Sequence, residues 1–387
     1  MRAVRWHSKA VVVLGLASSI MLGGCSRFRK HSGPSKYVYV TAKEATLRDR
    51  IAAVSNRTGV VQNGEKLTVL EHQRRFIKVQ APSGIVGWLD EKLTADQALM
   101  DTFDELKQQH LNDAVVAKAV TRDEAVLHIA PGRSTEHFFR LNEGDTMSLI
   151  QRATVVKPLP PGQAPPHVDP SDPTSPIAPP TMEDWWLVRD SKGQTGWIYS
   201  RLIDVSEPDA LARYAEGQRI VGAYVLATVN DPESGVMNNG VTVTEIPEYV
   251  TVLAPYKAGL PYDFDQVRVF TWNHNKHRYE TAFREKNIEG YLPVVVTKGK
   301  DPYGKSAMAA MELPIFKYHT LAADSPAPVP DPKTGIVKPG KLIEKTYRLE
   351  ETTVRRILPP NTQKPDEAHP VVEEKKDKKA KAGRKRR

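Results

Sequence analysis

Short runs in which apolar and polar residues alternate dominate the chain from Tyr37 to Ile357. Lys66 to Leu70, Phe76 to Gln80 and Ile85 to Leu89 are typical, each bounded by Gly, Asn or Pro-Ser. A period of two between turn residues predicts half-buried antiparallel strands. Two stretches depart from it. Leu99, Phe103, Leu106 and His110 follow at helical spacing behind Thr94-Ala95-Asp96-Gln97, which has the form of a capping box, so a helix is expected in the connector 95–113. A shorter helix, capped by Ser206 and ended at Gly217 with Leu211 and Tyr214 on one side, is expected over 206–217.

The alternating runs repeat. Val40-Thr41, Leu47 and Gly64 recur 80 positions later as Val120-Thr121, Leu127 and Gly144. Phe76, Val79, Gly84, Gly87-Trp88 and Leu93 recur 109 positions later as Trp185, Val188, Gly193, Gly196-Trp197 and Leu202. So many shared intervals mark a duplicated unit whose second copy carries a 29-residue insertion. Gly64 and Gly144 sit where a turn needs a positive φ. Gly87 and Gly196 precede a tryptophan on a strand, where a missing side chain permits a bend or a close approach. Each copy therefore reads as a small antiparallel barrel, over 37–94 and 114–205.

This pattern resembles bacterial SH3 domains: an opening Val-Thr, a Leu-centred strand, a turn before Gly64-Glu-Lys-Leu-Thr or Gly144-Asp-Thr-Met-Ser, then a Gly-Trp strand and a closing Leu. After Leu47 the chain departs from the family, since Arg48-Asp-Arg-Ile-Ala-Ala-Val-Ser-Asn replaces its usual segment. The resemblance implies a groove for peptidoglycan peptides or another envelope ligand, with Phe76, Trp88, Trp185, Trp186, Trp197 and Tyr199 as candidate lining residues. Neighbouring residues on a strand face opposite ways, so Trp185 and Trp186 cannot both enter one core, and one of them is expected to be exposed. The competing reading is that Trp88 and Trp197 only pack the barrels.

Ahead of the barrels, Arg2, Arg5 and Lys9 precede an apolar run of 13 residues, Ala10 to Leu22. That is shorter than the roughly 20 residues of a spanning helix and reads as a secretory signal, 1–24. Its closing Leu22-Gly-Gly-Cys25 resembles the lipobox of bacterial lipoproteins, which implies an acylated Cys25 and membrane lipid as a partner. Acyl chains contribute about 0.8 kcal/mol per buried CH2, enough for two or three to hold a protein on a bilayer. Ser26 is not the acidic residue that favours inner-membrane retention in familiar lipoprotein sorting, which points to the outer membrane. Cys25 is the only cysteine, which excludes disulfides and a cysteine nucleophile from the mature chain.

The formal charge of +9 is segregated: +3 on 1–24, +4 on the linker 25–36 and +6 on 373–387, leaving −4 between. A nucleic-acid binder shows a basic face on a domain, so nucleic acid is not an expected partner. The lysine-rich end of 359–387 is expected to be disordered and suited to an anionic surface. The insertion, within 157–181, holds ten prolines. Each lacks a backbone donor, so the segment is expected as an extended loop, solvated or serving as a partner's ligand.

From 218 to 358 short strands predict a third, antiparallel domain: Val221 to Val229, Val241 to Ile246, Tyr249 to Leu253, Val267 to Trp272, Tyr279 to Phe283, Tyr291 to Val296, and Leu342 to Ile357 after a Pro-rich loop at 325–340. Gly299 to Ser306 matches the phosphate-loop pattern, but Pro302 removes a donor from the cradle and Asp301 adds negative charge. His274 and His277 have a metal-compatible spacing, with no acidic third ligand nearby in sequence. No cofactor, metal or catalytic set is expected. The whole reads as mainly β, two SH3-like barrels with connecting helices and a C-terminal β domain. The expected function is non-enzymatic envelope binding, with a protein-assembly scaffold using the Pro-rich loop as the alternative and a hydrolase in the third domain as the remote one.

Overall fold

The computed structural model describes residues 36–159, 162, 180–238 and 240–370. The expected signal, Cys25, most of the Pro-rich insertion and the residues from 371 onward lie outside them. The described chain is mainly β, built from antiparallel sheets.

The first seven-stranded sheet runs in the order Arg57–Gln62, Glu44–Arg48, Val86–Asp90, Phe76–Gln80, Lys66–Gln73, Tyr37–Val40, Thr94–Ala95. The second runs His137–Leu141, Ala125–His128, Thr195–Tyr199, Met182–Asp190, Thr146–Val156, Ala117–Thr121, Ile203–Val205. Strand for strand this is the same order, and a 3-10 turn, Glu91–Leu93 or Ser200–Leu202, precedes the last strand of each. The repeated glycines do the same work twice. Gly64 and Gly144 both hold φ +83°. A Cβ on Gly87 would lie 2.7 Å from that of Leu47, and one on Gly196 2.7 Å from that of Leu127, so close strand approach is the reason for both. Val40, Leu47, Leu67, Ile77 and Val79 fill the first interior. Leu127, Phe138, Leu149, Trp186 and Ile198 fill the second.

The connecting helix is Gln97–Gln109. Its cap is Asp96, whose carboxylate accepts the Leu99 N–H at 3.0 Å, and not Thr94, whose hydroxyl donates to the Glu91 carbonyl. Phe103 from this helix completes the core of the second barrel, edge-on to Phe139 at 5.1 Å. Tyr39 of the first barrel joins the same cluster, and its hydroxyl donates to Gln97 Oε1 at 2.7 Å. The second helix is one turn, Asp209–Ala212, capped at Pro208. Ser206 is no cap, because its N–H continues the barrel edge by donating to Lys118 O.

The third region forms a seven-stranded meander: Arg219–Asn230, Glu245–Ala254, Phe264–Asn273, Arg278–Gly299, Leu313–Leu321, Leu342–Glu350, Thr353–Arg356. Two expected strands, Tyr279 to Phe283 and Tyr291 to Val296, are one 22-residue strand that pairs with Phe264–Asn273 by its first half and with Leu313–Leu321 by its second. Leu313–Leu321 itself was not anticipated. Phe316, Tyr318 and Tyr347 stack nearly parallel in the core. Residues 359–370, expected in a disordered tail, cross the sheet instead: Ala323 N–H donates to Asp366 O and Ala368 N–H to Leu321 O. Glu367 there meets the wholly buried Lys345 at 2.8 Å, and Glu285 holds the same ammonium. The tail reading missed this because a buried lysine requires paired carboxylates, and the chain end supplies one.

The hairpin of Thr146–Val156 and Met182–Asp190 runs past the second barrel and docks on the third region. Arg152 donates to Asp184 at 2.6 Å, to Asp263 at 3.0 Å and to the carbonyls of Leu260 and Tyr262. Burial works against its charge, yet the two carboxylates outweigh that and raise its pKa above the ordinary arginine value. Gly259 N–H donates to Asp184 and the Thr154 hydroxyl to Leu260 O. The Pro-rich loop at 325–340 adds a bridge, with Val337 N–H on Thr154 O at 2.8 Å. Replacing Arg152 with Leu strands two buried carboxylates and should cost about 3–5 kcal/mol. Urea unfolding of the two proteins measures it, and a loss under 1 kcal/mol would show that the clamp is not structural.

Candidate functional site

In the first barrel, Arg48 lies directly across the sheet from Trp88. The chain then leaves the strand as a loop over 49–56, closed at its neck by Asp49 and Asn56: Asp49 N–H donates to Asn56 O, and Asn56 donates from N and Nδ2 to the Asp49 carboxylate. Desolvation opposes the Asp49 charge, but these donations and the neighbouring Arg50 outweigh it and hold the carboxyl below its usual pKa. Arg48 Nη1 reaches Ser55 Oγ at 3.1 Å, tying the loop to the strand.

Between this loop and the strands Phe76–Gln80 and Val86–Asp90 opens a cleft of about 630 Å3. Phe76 and Trp88 are half-buried in its floor. Arg48, Arg50 and Arg75 line it, with Asp90 as the opposing charge, and the Arg75 guanidinium sits 5.0 Å over the Phe76 ring. Two flat apolar faces beside surplus guanidinium charge suit a ligand that pairs an apolar or ring surface with a carboxylate.

The equivalent place in the second barrel is filled. Trp185 stands where Phe76 does, Trp197 where Trp88 does and His128 where Arg48 does, and His128 is again the cross-strand partner of the tryptophan. Trp185 is 1% exposed, Trp186 3% and Trp197 7%. The two adjacent tryptophans do face opposite ways, Trp186 into the barrel core and Trp185 into a second cluster with Trp197 and Leu187. The expectation that one would be exposed is therefore corrected, because both faces of this strand are covered. Ile336 from the Pro-rich loop at 325–340 and Leu106 from the helix pack on the outer one. Arg133 closes it, 4.7 Å over the half-buried Tyr199 ring with Nε 2.8 Å from Glu183. Of the six candidate residues, Phe76 and Trp88 share an open cleft, Trp185, Trp197 and Tyr199 share a closed cluster, and Trp186 stands apart from both. Sequence reasoning missed Arg48, Arg50 and Arg75, although the segment that departs from the family pattern contains the first two.

The two decoys resolve differently. From Gly299 to Ser306 the Asp301 carboxylate accepts the Tyr303 N–H at 2.9 Å and Asp301 N–H donates to Ala309 O, so the loop binds itself, and turns rather than a helix follow it. His277 Nδ1 lies 2.9 Å and His274 Nδ1 3.9 Å from Asp231, an acidic neighbour invisible in the local sequence, which also accepts the Trp272 indole N–H at 2.7 Å. Among the described residues no group of three or more His, Cys, Asp or Glu is arranged to hold a metal ion. No helix among them is long and apolar enough to cross a membrane.

The bacterial SH3 domain family matches residues 45–94, so the first barrel carries a bacterial SH3 domain. No curated protein matches the chain. Among solved structures, an NlpC/P60 family protein from Bacillus cereus ATCC 10987 is 12% identical over 46% of this chain and 62% of its own, with a TM-score of 0.22. NlpC2 and NlpC1 from Trichomonas vaginalis are 7% and 6% identical, each over 65% of this chain and over 97% and 88% of their own, both with TM-scores of 0.15. The chain thus spans less than two thirds of the first of these proteins, and likenesses at such scores carry no argument.

The closed cluster yields a pH prediction. Burial first, and the neighbouring His137 second, lower the His128 pKa to about 4, against a weaker opposing hydrogen bond with Thr135. A histidine kept neutral in the fold stabilises it above pH about 6.5 and loses that contribution as the pH falls towards 4, because only the unfolded chain gains the proton. The loss is on the order of 2 kcal/mol after discounting for solvent screening. His128→Gln should flatten the fall in melting temperature between pH 7 and 4, and an unchanged slope would count against the assignment.

Proposed function

We propose that the protein is a lipid-anchored component of a bacterial cell envelope that holds acidic, peptide-bearing wall material in the cleft of its first barrel and performs no catalysis itself. One observation carries this reading. Of two topologically equivalent grooves, that of the second barrel is packed shut, whereas that of the first stays open with half-buried Phe76 and Trp88 beside Arg48, Arg50 and Arg75. The bacterial SH3 match over 45–94 supports it, since this family's barrels bind envelope ligands. The second barrel, with the same strand order, serves in our reading as a duplicated copy turned into a structural adaptor. The signal-like start ending at Leu22-Gly-Gly-Cys25 supports the anchor.

A scaffold acting through the Pro-rich insertion is the second reading. It is favoured by a firm base: Lys157 N–H donates to Thr181 O at 2.8 Å, so the insertion leaves from a pinned stem.

Purified sacculi should retain the full-length protein, with Trp88→Ala and the double variant Arg48→Ala/Arg50→Ala each reducing retention about tenfold, a loss of ~1.4 kcal/mol. Deleting 158–180 should leave retention unchanged. Equal retention of the cleft variants and the wild type would overturn the cleft reading, and a loss confined to the deletion would favour the scaffold. Independently, mass spectrometry of the membrane-extracted protein should find an amino-terminal Cys25 carrying diacylglycerol, and a free thiol there removes the anchor.

A further inference from the structure

Where the second barrel meets the meander, the fold forms a partly open cavity of about 360 Å3. Arg152 and Asp184 reach it from the long hairpin, Arg201 from the 3-10 turn Ser200–Leu202 of the second barrel, Arg219 from the first strand of the meander, and Tyr256 from the loop after Glu245–Ala254. The volume is at the small end of the roughly 300–1,000 Å3 of small-molecule sites.

Most charges in the cavity already have partners. Arg152 is held by one oxygen of Asp184 and by Asp263, and Arg122 is paired with Asp204. Of the buried side-chain polar atoms that lack a hydrogen-bond partner among the described residues, two belong to the cavity lining: the other Asp184 oxygen, Oδ2, and Arg219 Nε. The Asp184 side chain is only 3% exposed. Burial lowers the Arg219 pKa and Arg152 adds to the effect, against the attraction of Asp184. One leftover atom wants a donor and the other wants an acceptor. Unpartnered buried polar atoms cost about 1–3 kcal/mol each, so both favour a guest that supplies the missing groups.

Asp184, Asp204, Glu207 and Asp263 line the cavity together with its cations. A ligand of a single charge sign is repelled by one set as it is drawn to the other, whereas a ligand bearing both signs is not. We propose that this cavity is a binding site for a zwitterionic amino acid or short peptide, its carboxylate on the Arg219 guanidinium and its ammonium on Asp184 Oδ2. Tyr256, 77% exposed at the mouth, offers its ring to the ligand's side chain. The site is separate from the cleft of the first barrel and stands whatever that cleft binds.

Calorimetry on the full chain tests it, with alanine, leucine, lysine, glutamate and alanyl-alanine as probes. At least one should bind saturably with a Kd below about 1 mM. Its N-acetyl derivative, which lacks the ammonium, and its amide, which lacks the carboxylate, should each bind about tenfold more weakly or worse, and inorganic phosphate should not compete. Arg219→Gln should weaken binding at least as much, with Arg219→Lys recovering part of it. Saturable binding by none of the zwitterions overturns the site. So does an N-acetyl derivative or phosphate binding as tightly as the parent amino acid, which would mark a simple anion site.

Discussion

The guanidinium of Arg152, gripped by Asp184 from its own hairpin and by Asp263 from the meander, is the contact on which the rest of the molecule depends. Thr146–Val156 has 11 residues and Met182–Asp190 has 9, against 8 and 5 in their first-barrel counterparts Lys66–Gln73 and Phe76–Gln80. The added length runs out of the barrel and carries Arg152, Thr154 and Asp184 into the third region. A buried ion pair contributes little net stability over well-packed apolar side chains. What it supplies here is register. Four donations from the two Nη atoms of one rigid plane meet two carboxylates and two carbonyls, and sliding the hairpin by one residue would bury charges without partners.

That docking explains why two copies of one topology came to differ. Once the hairpin is fixed against the meander, the loop at 325–340 lies across its outer face, pairing at Val155 and placing Ile336 on the Trp185 cluster. A groove with such a cover packs like an interior, and Trp185, Trp197 and His128 suit an interior. Among the described residues no such neighbour covers the cleft of the first barrel. There the aromatics stay half-buried, and arginine takes the position of histidine. The same backbone position thus holds a neutral buried ring in one copy and an exposed cation in the other.

Much of the fold was legible because it rests on local rules. Positive-φ glycines at 64 and 144, the glycine before each tryptophan and the two shared displacements each have a reason within a few residues of sequence. The parts that were not legible are set by distant partners. Both faces of the strand bearing Trp185 and Trp186 are covered by segments from elsewhere in the chain, such as Ile336, which no alternation within that strand reveals. Asp231 lies far in sequence from His274 and His277, yet sits beside them. The polar tail reading missed Glu367 because a carboxylate looks solvated until a buried Lys345 is found to need it. The segment after Leu47, where the chain departs from the family pattern, supplies Arg48 and Arg50 to the basic wall of the open cleft, and no residue within it signals that role.

The pairing of interior charge narrows where the protein can meet other molecules. Lys345 has Glu285 and Glu367, and Arg348 is buried on the carbonyls of Met308, Ala309 and Met311. Arg268 bonds Tyr214 O and Thr281 and pairs with Glu216. Each is held by several partners, although the Nε of Arg268 and that of Arg348 have no hydrogen-bond partner. Among the described residues two places stand out for ligand binding: the cleft of the first barrel, where three arginines meet the single carboxylate of Asp90, and the cavity, where Arg219 Nε has no hydrogen-bond partner. In the first the surplus cations are exposed beside aromatic faces, and hydration makes them inexpensive to hold until a ligand arrives. In the second the surplus is buried, so the free protein carries a cost that a guest with the right two charges would remove. The two sites therefore differ in what binding must overcome, desolvation of exposed arginines in one and displacement of water from around half-buried charges in the other.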